Sequence, residues 1–225
     1  MRKLDRWTNI FLILMALFIG LALWNFFQPE KEKGESFTVK TMTDKPFVLT
    51  EQPLVGNKDA KIRFVEFGDY NCSHCQRWDE EIFPILEEKY IDSGLASFRF
   101  VHFPVVNATT TSFYAAMASE WVWENHRDQY WEFHHDLYQA AKGFRTLSFD
   151  YLATQASDLT GEAKEAILPK LKDEKYMDNV LADKQYAIEN GIAATPTLMI
   201  NGKVIENAFD LEEIDRVIKE STQSE

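Results

Sequence analysis

The fold of this chain is decided by one stretch, Phe64-Val65-Glu66-Phe67-Gly68-Asp69-Tyr70-Asn71-Cys72-Ser73-His74-Cys75. An apolar run ends in a turn, and an amphipathic segment begins at Cys72, which predicts a strand, a turn and a helix. Both cysteines of the 225-residue chain then lie in the first helical turn. The free N–H groups and positive dipole end there stabilise a thiolate, and can lower a cysteine pKa to roughly 3.5–7.5. Because the thiolate is the attacking species in disulfide exchange, the stretch predicts redox chemistry.

Two other roles for the cysteine pair remain as alternatives. A structural disulfide across two intervening residues would remove little entropy from the unfolded chain. Half of a zinc site would need a second pair of Cys or His ligands at the proper spacing. His126 and the adjacent His134 and His135 lack such a partner motif, and His74 lies between the thiols. The sequence therefore favours a redox pair and predicts no metal site.

The composition limits the class of protein. The chain has 225 residues, 45% of them hydrophobic, which suffices for the core of one domain or of one domain with an insertion. A net charge of −12 argues against a nucleic acid as partner.

The N-terminus carries a candidate membrane segment. Three basic residues lie within the first six positions, and an apolar stretch follows over 10–27, broken only by Asn25. We expect a cytoplasmic tail at 1–9, a single transmembrane anchor at 10–27 and a polar linker at 28–45. A cleaved signal peptide is the alternative, but its cleavage site would fall inside the apolar run. The basic flank predicts a single-pass protein of the cell membrane whose body is extracytoplasmic, where disulfides persist.

Three segments follow the linker, at 46–106, 107–184 and 185–225. The first holds predicted strands at 61–67 and 96–103, with a helix from Cys72 between them that Pro84 should kink. A short edge strand is expected at 47–49. Within the strand at 61–67, Glu66 either lies at a pleat facing water or is buried with a raised pKa. In the second case it could move the proton of the second cysteine.

The segment 107–184 differs from its flanks because its apolar residues recur at three- and four-residue spacing. It is predicted to hold several helices, one of which begins at Ser148 or Asp150 and ends at Gly161. Its aromatic residues are expected in the core, with a substrate groove as the alternative. They include Trp121, Trp123, Tyr130, Trp131 and Phe133.

Strand patterns return in the segment 185–225. The run 197–200 leads into Asn201-Gly202, a strong hairpin signal, and out through 203–205. Pro196 stands just before this strand, where its missing N–H marks an edge or a distorted start. Asp210 opens a capping motif for a final helix.

These motifs together resemble the DsbA-like thiol–disulfide oxidoreductases, and among them the membrane-anchored, BdbD-type members. The resemblance rests on Glu66, on Cys72-Ser73-His74-Cys75, and on Ala194-Thr195-Pro196-Thr197 before an Asn-Gly hairpin. It implies an α/β protein with a thioredoxin fold. A helical domain would be inserted at 107–184, between thioredoxin-like parts at 46–106 and 185–225, and a single N-terminal transmembrane helix would precede them.

The resemblance also implies roles for the site residues. Cys72 would be the exposed nucleophile and Cys75 the buried resolving thiol. His74 would stabilise the Cys72 thiolate, and Glu66 matches the family's buried acidic residue. Ser73 departs from the proline that is commoner at this position and lacks its fixed backbone angle, so it bears on the redox poise.

Thr195 and Pro196 would form a cis-proline loop whose backbone pairs with the substrate. The implied enzyme is exported and donates the Cys72–Cys75 disulfide to folding proteins with free thiols. A quinone-linked membrane thiol oxidase would recharge it, and no cofactor would be needed beyond the redox-active disulfide. A disulfide reductase or isomerase on the same fold is the nearest alternative. A thiol-based metal chaperone is the other.

Overall fold

The computed structural model describes Met15 and residues 48–105 and 111–223. In these ranges no helix is both long enough and apolar enough to cross a membrane. The tail, anchor and linker predicted over 1–45 lie outside the described residues, apart from Met15, and stay predictions. Residues 48–105 and 111–223 belong to one compact unit.

A five-stranded sheet lies at the centre of this unit, in the order β1-β3-β2-β4-β5. The strands are β1 (Leu54–Gly56), β2 (Ile62–Gly68), β3 (Ala96–His102), β4 (Thr197–Ile200) and β5 (Lys203–Val204). β2 and β3 run parallel, while β1 pairs antiparallel with β3 and β4 antiparallel with β2. Because β2 is central, it is covered on both faces, which explains why its sequence is almost continuously apolar.

Two short helices connect β2 to β3. They are α1 (Ser73–Glu81) and α2 (Phe83–Leu86), and a π-helical turn follows at Glu87–Ile91. Pro84 lies in the first turn of α2, and Ile82 separates the two helices. The predicted kink is therefore a break, because proline cannot donate the backbone hydrogen bond that would continue α1.

In the described part of the chain, five α-helices lie between β3 and β4. They are α3 (Thr111–Asn125), α4 (Tyr130–Lys142), α5 (Phe149–Thr160), α6 (Lys164–Leu171) and α7 (Glu174–Glu189). The side chain of Ser148 accepts a hydrogen bond from the Tyr151 N–H, and Gly161 ends α5 with φ 76°, so Ser148 rather than Asp150 is the cap. α7 runs across the boundary that the sequence placed between 184 and 185.

The aromatic residues of this helical block are mainly core. Trp121, Tyr130 and Phe133 are fully buried, as predicted. Trp123 and Trp131 are partly exposed and dock on the edge of the sheet. Their indole N–H groups donate to the backbone carbonyls of Glu51 (2.7 Å) and Leu54 (3.3 Å).

Two further expectations concern the start and the end of the described chain. The edge strand expected at 47–49 is wrong, because Leu49–Glu51 form a 3₁₀-helix and the edge strand is β1. Three residues are too few to show an alternating pattern, so no local signal indicated β1. Asn201 and Gly202 both have positive φ (49° and 85°), as the predicted hairpin turn requires. The final helix is α8 (Leu211–Gln223), and Asp210 caps it.

Candidate active site

The turn between β2 and α1 is held by the buried side chain of Asp69. One carboxylate oxygen accepts from the Asn71 N–H (2.9 Å) and the other from the Val105 N–H (3.1 Å). The backbone carbonyl of Asp69 accepts from the Cys72 N–H (3.0 Å). These bonds fix Cys72 as the N-cap residue of α1. The sequence identified Asp69 only as part of a turn.

Cys72 is half-buried at the start of α1, and its surroundings favour the thiolate. A hydrogen bond from the Cys75 thiol makes the largest contribution to lowering its pKa from 9.0 to about 5. Burial opposes this effect, whereas the Thr195 side chain and the backbone N–H groups of Cys75 and His74 add to it. Cys72 is therefore ionised at neutral pH, as a nucleophile in disulfide exchange must be.

Cys75 has the opposite properties. Its side chain is fully buried, with 0% of its surface exposed. Burial raises the pKa of the Cys75 thiol far above its usual range, and the hydrogen bond to Cys72 and the charge of Glu66 act in the same direction. The two thiols of one helical turn are thus a thiolate at the surface and a neutral thiol beneath it.

Glu66 lies on β2 and is only 1% exposed, so the interpretation that it faces water is wrong. Burial raises the pKa of its carboxyl group, and the charges of Asp79 and Cys72 raise it further. Its Oε1 atom has no hydrogen-bond partner within the described ranges. Glu66 is therefore buried with a raised pKa near the two thiols, which is the second of the two alternatives.

Ser73 and His74 are both exposed beside Cys72. The structure gives His74 one definite contact with the thiolate, which is the hydrogen bond from its backbone N–H. The role predicted for its imidazole stays a prediction. Ser73 is the first residue of α1, as predicted for the position where a proline would fix the backbone angle of the helix start.

Thr195 and Pro196 lie against Cys72, although they are more than a hundred residues away in the chain. The Thr195–Pro196 peptide bond is cis. The Sγ atom of Cys72 is 3.5 Å from the carbonyl oxygen of Thr195. The structure thus brings together all seven residues that the sequence selected: Glu66, Cys72, Ser73, His74, Cys75, Thr195 and Pro196.

A polar cluster behind Cys75 was missed by the sequence analysis. Asp79 lies one turn after Cys75 on α1, and its Oδ1 atom is 2.7 Å from His135 Nδ1 and 3.8 Å from His134 Nε2. His134 Nδ1 is in turn 2.9 Å from the hydroxyl of Tyr70. Two ligands of one tetrahedral zinc ion are separated by about 3.3 Å. A separation of 2.7 Å therefore indicates a hydrogen bond between Asp79 and His135. The one available signal was the four-residue spacing of Cys75 and Asp79.

A second buried polar group lies elsewhere, beside a cavity of about 440 Å³ that Gln52, Glu120 and Asp183 help to line. Ligand atoms of His102, Glu120 and Asp183 lie within 4.8 Å of one another. Among the described residues, Gln52 Oε1, His102 Nε2 and Glu120 Oε1 are buried without a hydrogen bond, although His102 Nε2 and Glu120 Oε1 lie 3.3 Å apart. This donor set could hold a metal ion, and it includes neither cysteine. These residues are far apart in sequence, so no sequence motif predicted this donor set.

The fold and the site together define a class of protein. A surface thiolate at a helix N-terminus, a buried second thiol three residues later and an adjacent cis-proline are the parts of a thiol–disulfide oxidoreductase with a thioredoxin-like fold. A family model described as "Thioredoxin" matches residues 49–220, so the chain belongs to this family.

Relatives with known names narrow the class. Disulfide bond formation protein D of Bacillus subtilis is 34% identical over 170 residues, which cover 75% of this chain and 76% of the relative. The probable disulfide bond formation protein D of Bacillus anthracis is 26% identical over 210 residues, covering 89% of each chain. The protein is therefore a thiol–disulfide oxidoreductase homologous to disulfide bond formation protein D.

Solved structures agree with this placement. The crystal structure of oxidised BdbD from Bacillus subtilis has a TM-score of 0.70 and 31% identity, and the match covers 82% of this chain and 99% of that one. Wolbachia pipientis α-DsbA1 has a TM-score of 0.67 and 26% identity, with 79% and 94% covered. The resemblance to DsbA-like proteins and the thioredoxin fold with a helical insertion are both confirmed.

Proposed function

We propose that this protein is an exported disulfide oxidase that donates the Cys72–Cys75 disulfide to folding extracytoplasmic proteins. The observation that carries the proposal is the unequal ionisation of the two thiols. The pKa of Cys72 is lowered to about 5, while burial holds Cys75 neutral. Stabilising the thiolate stabilises the reduced enzyme, and an enzyme whose reduced form is stable is a strong oxidant.

The reaction starts when a substrate thiolate attacks the Sγ atom of Cys72. The Cys72–Cys75 bond breaks, its electron pair goes to Cys75, and Cys75 takes up a proton. A second substrate thiolate then attacks the substrate sulfur of the mixed disulfide and releases Cys72. Cys72 leaves readily because its thiolate is the stable form at neutral pH. The substrate loses two electrons and gains a disulfide, and the enzyme gains both electrons.

Each neighbouring residue has a part in this proposal. Thr195 and Pro196 offer backbone to an extended substrate segment beside Cys72, and the contact of Thr195 with Sγ supports this placement. Glu66 exchanges the proton of Cys75. Ser73 and His74 adjust the redox poise at the surface that a substrate covers, and their exposure beside Cys72 supports this part of the proposal.

The disulfide is the redox group of this scheme, with no metal or organic cofactor. A quinone-linked membrane thiol oxidase recharges it, and the apolar stretch 10–27 anchors the chain in the lipid bilayer with its body on the extracytoplasmic side. The support for the anchor is the sequence pattern alone. A reporter enzyme that is active only outside the cytoplasm, fused after residue 46, should be active in cells.

The reduction potential of the Cys72–Cys75 couple is the main test. A value near about −120 mV supports an oxidase, whereas one near about −270 mV favours a reductase. An isomerase would reshuffle scrambled disulfides without net oxidation. Oxidation of a reduced peptide by stoichiometric enzyme therefore separates an oxidase from an isomerase. The metal chaperone alternative predicts Cu(I) or Zn(II) that is released when both thiols are alkylated. Metal analysis with a free-thiol count would reveal it.

A further inference from the structure

The buried thiol needs a route for its proton. Cys75 is 0% exposed, and it must gain a proton when the enzyme oxidises a substrate and lose one when the disulfide re-forms. In the mixed disulfide the substrate covers the surface at Cys72 and Thr195. A route on another side of the site would let the proton move while the substrate stays bound.

Two acidic residues line such a route next to Cys75. Cys75 and Asp79 are one turn apart on α1, so both lie on the same face of the helix. Both are buried, as is Glu66 on β2. The charge of Asp79 is the second-largest cause of the raised pKa of Glu66, after burial, so Asp79 acts electrostatically on Glu66.

Tyr138 of α4 provides a hydroxyl at the same place. A Cβ atom added to Gly68 would lie 2.9 Å from this hydroxyl, and Gly68 has the same strand face as Glu66, two residues earlier. The Tyr138 hydroxyl and Glu66 Oε1 are both buried without a hydrogen-bond partner in the described part of the chain. Each of these buried groups is costly to leave unpaired, so we expect water to reach them.

His135 connects this interior to solvent. Its Nδ1 atom is 2.7 Å from Asp79 Oδ1, and its side chain is 36% exposed, against 6% for Asp79. Glu87 and Asp136 are the other charged groups that act on it. His134, the neighbouring histidine, is buried and faces Asp79 and Tyr70, so it does not reach solvent.

We propose that Asp79 and His135 form the solvent end of a proton path for Cys75, with Glu66 and Tyr138 as its inner members. The proposal rests on the proposed function, because only a thiol that changes redox state needs such a path. Asp79 and His135 act through Glu66, so they are positioning residues rather than catalytic ones.

The protons balance in both directions. When the enzyme disulfide is reduced, the Cys75 thiolate takes a proton from Glu66, and the imidazolium of His135 replaces it through Asp79, Tyr138 and the water that bridges them. When the disulfide re-forms, the Cys75 thiol gives its proton to Glu66, and the proton leaves from His135. Burial lowers the pKa of His135, but the hydrogen bond to Asp79 and the acidic neighbours outweigh this and raise it, so the ring can carry the proton near neutral pH.

The test measures disulfide closure by itself. Reduced protein is mixed with saturating glutathione disulfide, so that Cys72 forms a mixed disulfide and the attack of Cys75 becomes the slow step. Closure releases glutathione, which is followed by rapid quenching with an alkylating agent and mass spectrometry. In the wild type the closure rate should rise with pH and level off above the pKa of His135.

The variants His135→Ala and Tyr138→Phe should close about a hundredfold more slowly near neutral pH, the lower end of the range for general acid–base catalysis. The rate of His135→Ala should keep rising with pH, because hydroxide replaces the lost base. Added imidazole should restore its rate in proportion to concentration. The matched control is His126→Gln, since His126 also pairs with a carboxylate (Glu162, 2.8 Å) but outside this cluster. It should behave as the wild type does.

Two results would overturn the proposal. One is a wild-type closure rate and pH profile in both His135→Ala and Tyr138→Phe. The other is a slower His135→Ala variant whose pH profile parallels the wild type and does not respond to imidazole, which indicates a structural effect. If wild-type protein itself fails to form the Cys72–Cys75 disulfide, the proposed function fails instead.

Discussion

The ionisation of Cys72 should make the stability of the reduced protein depend on pH. A single substitution, Cys72→Ser, should reveal this dependence. In Cys72→Ser the group that ionises is removed, while Cys75 and the fold are kept. The difference in free energy of unfolding between the reduced wild type and this variant then contains the contribution of the thiolate. Packing differences between serine and cysteine add a constant that does not change with pH.

The size of the effect follows from the two pKa values. The thiol has a pKa of 9.0 in the unfolded chain and about 5 in the folded one. A lowered folded-state pKa stabilises the fold fully above the unfolded value, and the stabilisation is lost as pH falls to the folded value, by about 1.4 kcal/mol per pH unit. At pH 7, about two units above the folded pKa, the ideal contribution is about 2.7 kcal/mol. Because Cys72 is only half-buried, solvent screening reduces this to about 1–1.5 kcal/mol.

The assay is guanidinium chloride unfolding of both reduced proteins, followed by tryptophan fluorescence, at several pH values from about 4.5 to 8. The stability difference should grow steadily over the upper part of this range and be constant below about pH 5. A difference that stays constant from about pH 4.5 to 8 would refute the assignment of Cys72 as a stabilised thiolate. A change of the opposite sign would do the same.

Three further predictions concern the surroundings of the thiols. Cys75→Ala should raise the pKa of Cys72 above about 5, because the Cys75 thiol is the main hydrogen-bond donor to the Cys72 sulfur. The ultraviolet absorbance of the thiolate against pH measures this pKa, and an unchanged or lower pKa would contradict the prediction. Gly68→Ala should destabilise the protein by about 1–3 kcal/mol in thermal unfolding, since its Cβ would lie 2.4 Å from Phe100, whereas the control Gly143→Ala should have little effect. Glu66→Gln should stabilise the protein by about 1–3 kcal/mol near pH 8, because a buried carboxyl with a raised pKa favours the fold below its unfolded pKa and loses that advantage as pH rises. The gain should vanish near pH 4, and an equal gain at both pH values would contradict the assignment.

Much of the fold was predictable because its signals are local. The apolar run of β2, the turn before Cys72 and the Asn201-Gly202 hairpin each depend on residues within one element or one turn. The caps at Ser148 and Gly161 are equally local. β1 was missed because three residues carry too little pattern.

The sequence by itself determined where the chemistry lies. Two cysteines three apart at a strand-to-helix turn indicate a thiolate at a helix start, and a proline before a strand marks an edge or a distorted start. Only the tertiary structure decided that Thr195 touches Cys72, that Glu66 is buried, and that Asp79 and His135 meet behind Cys75. The physical reason is that periodicity and capping act over a few residues, whereas burial and charge coupling depend on which distant elements pack against each other.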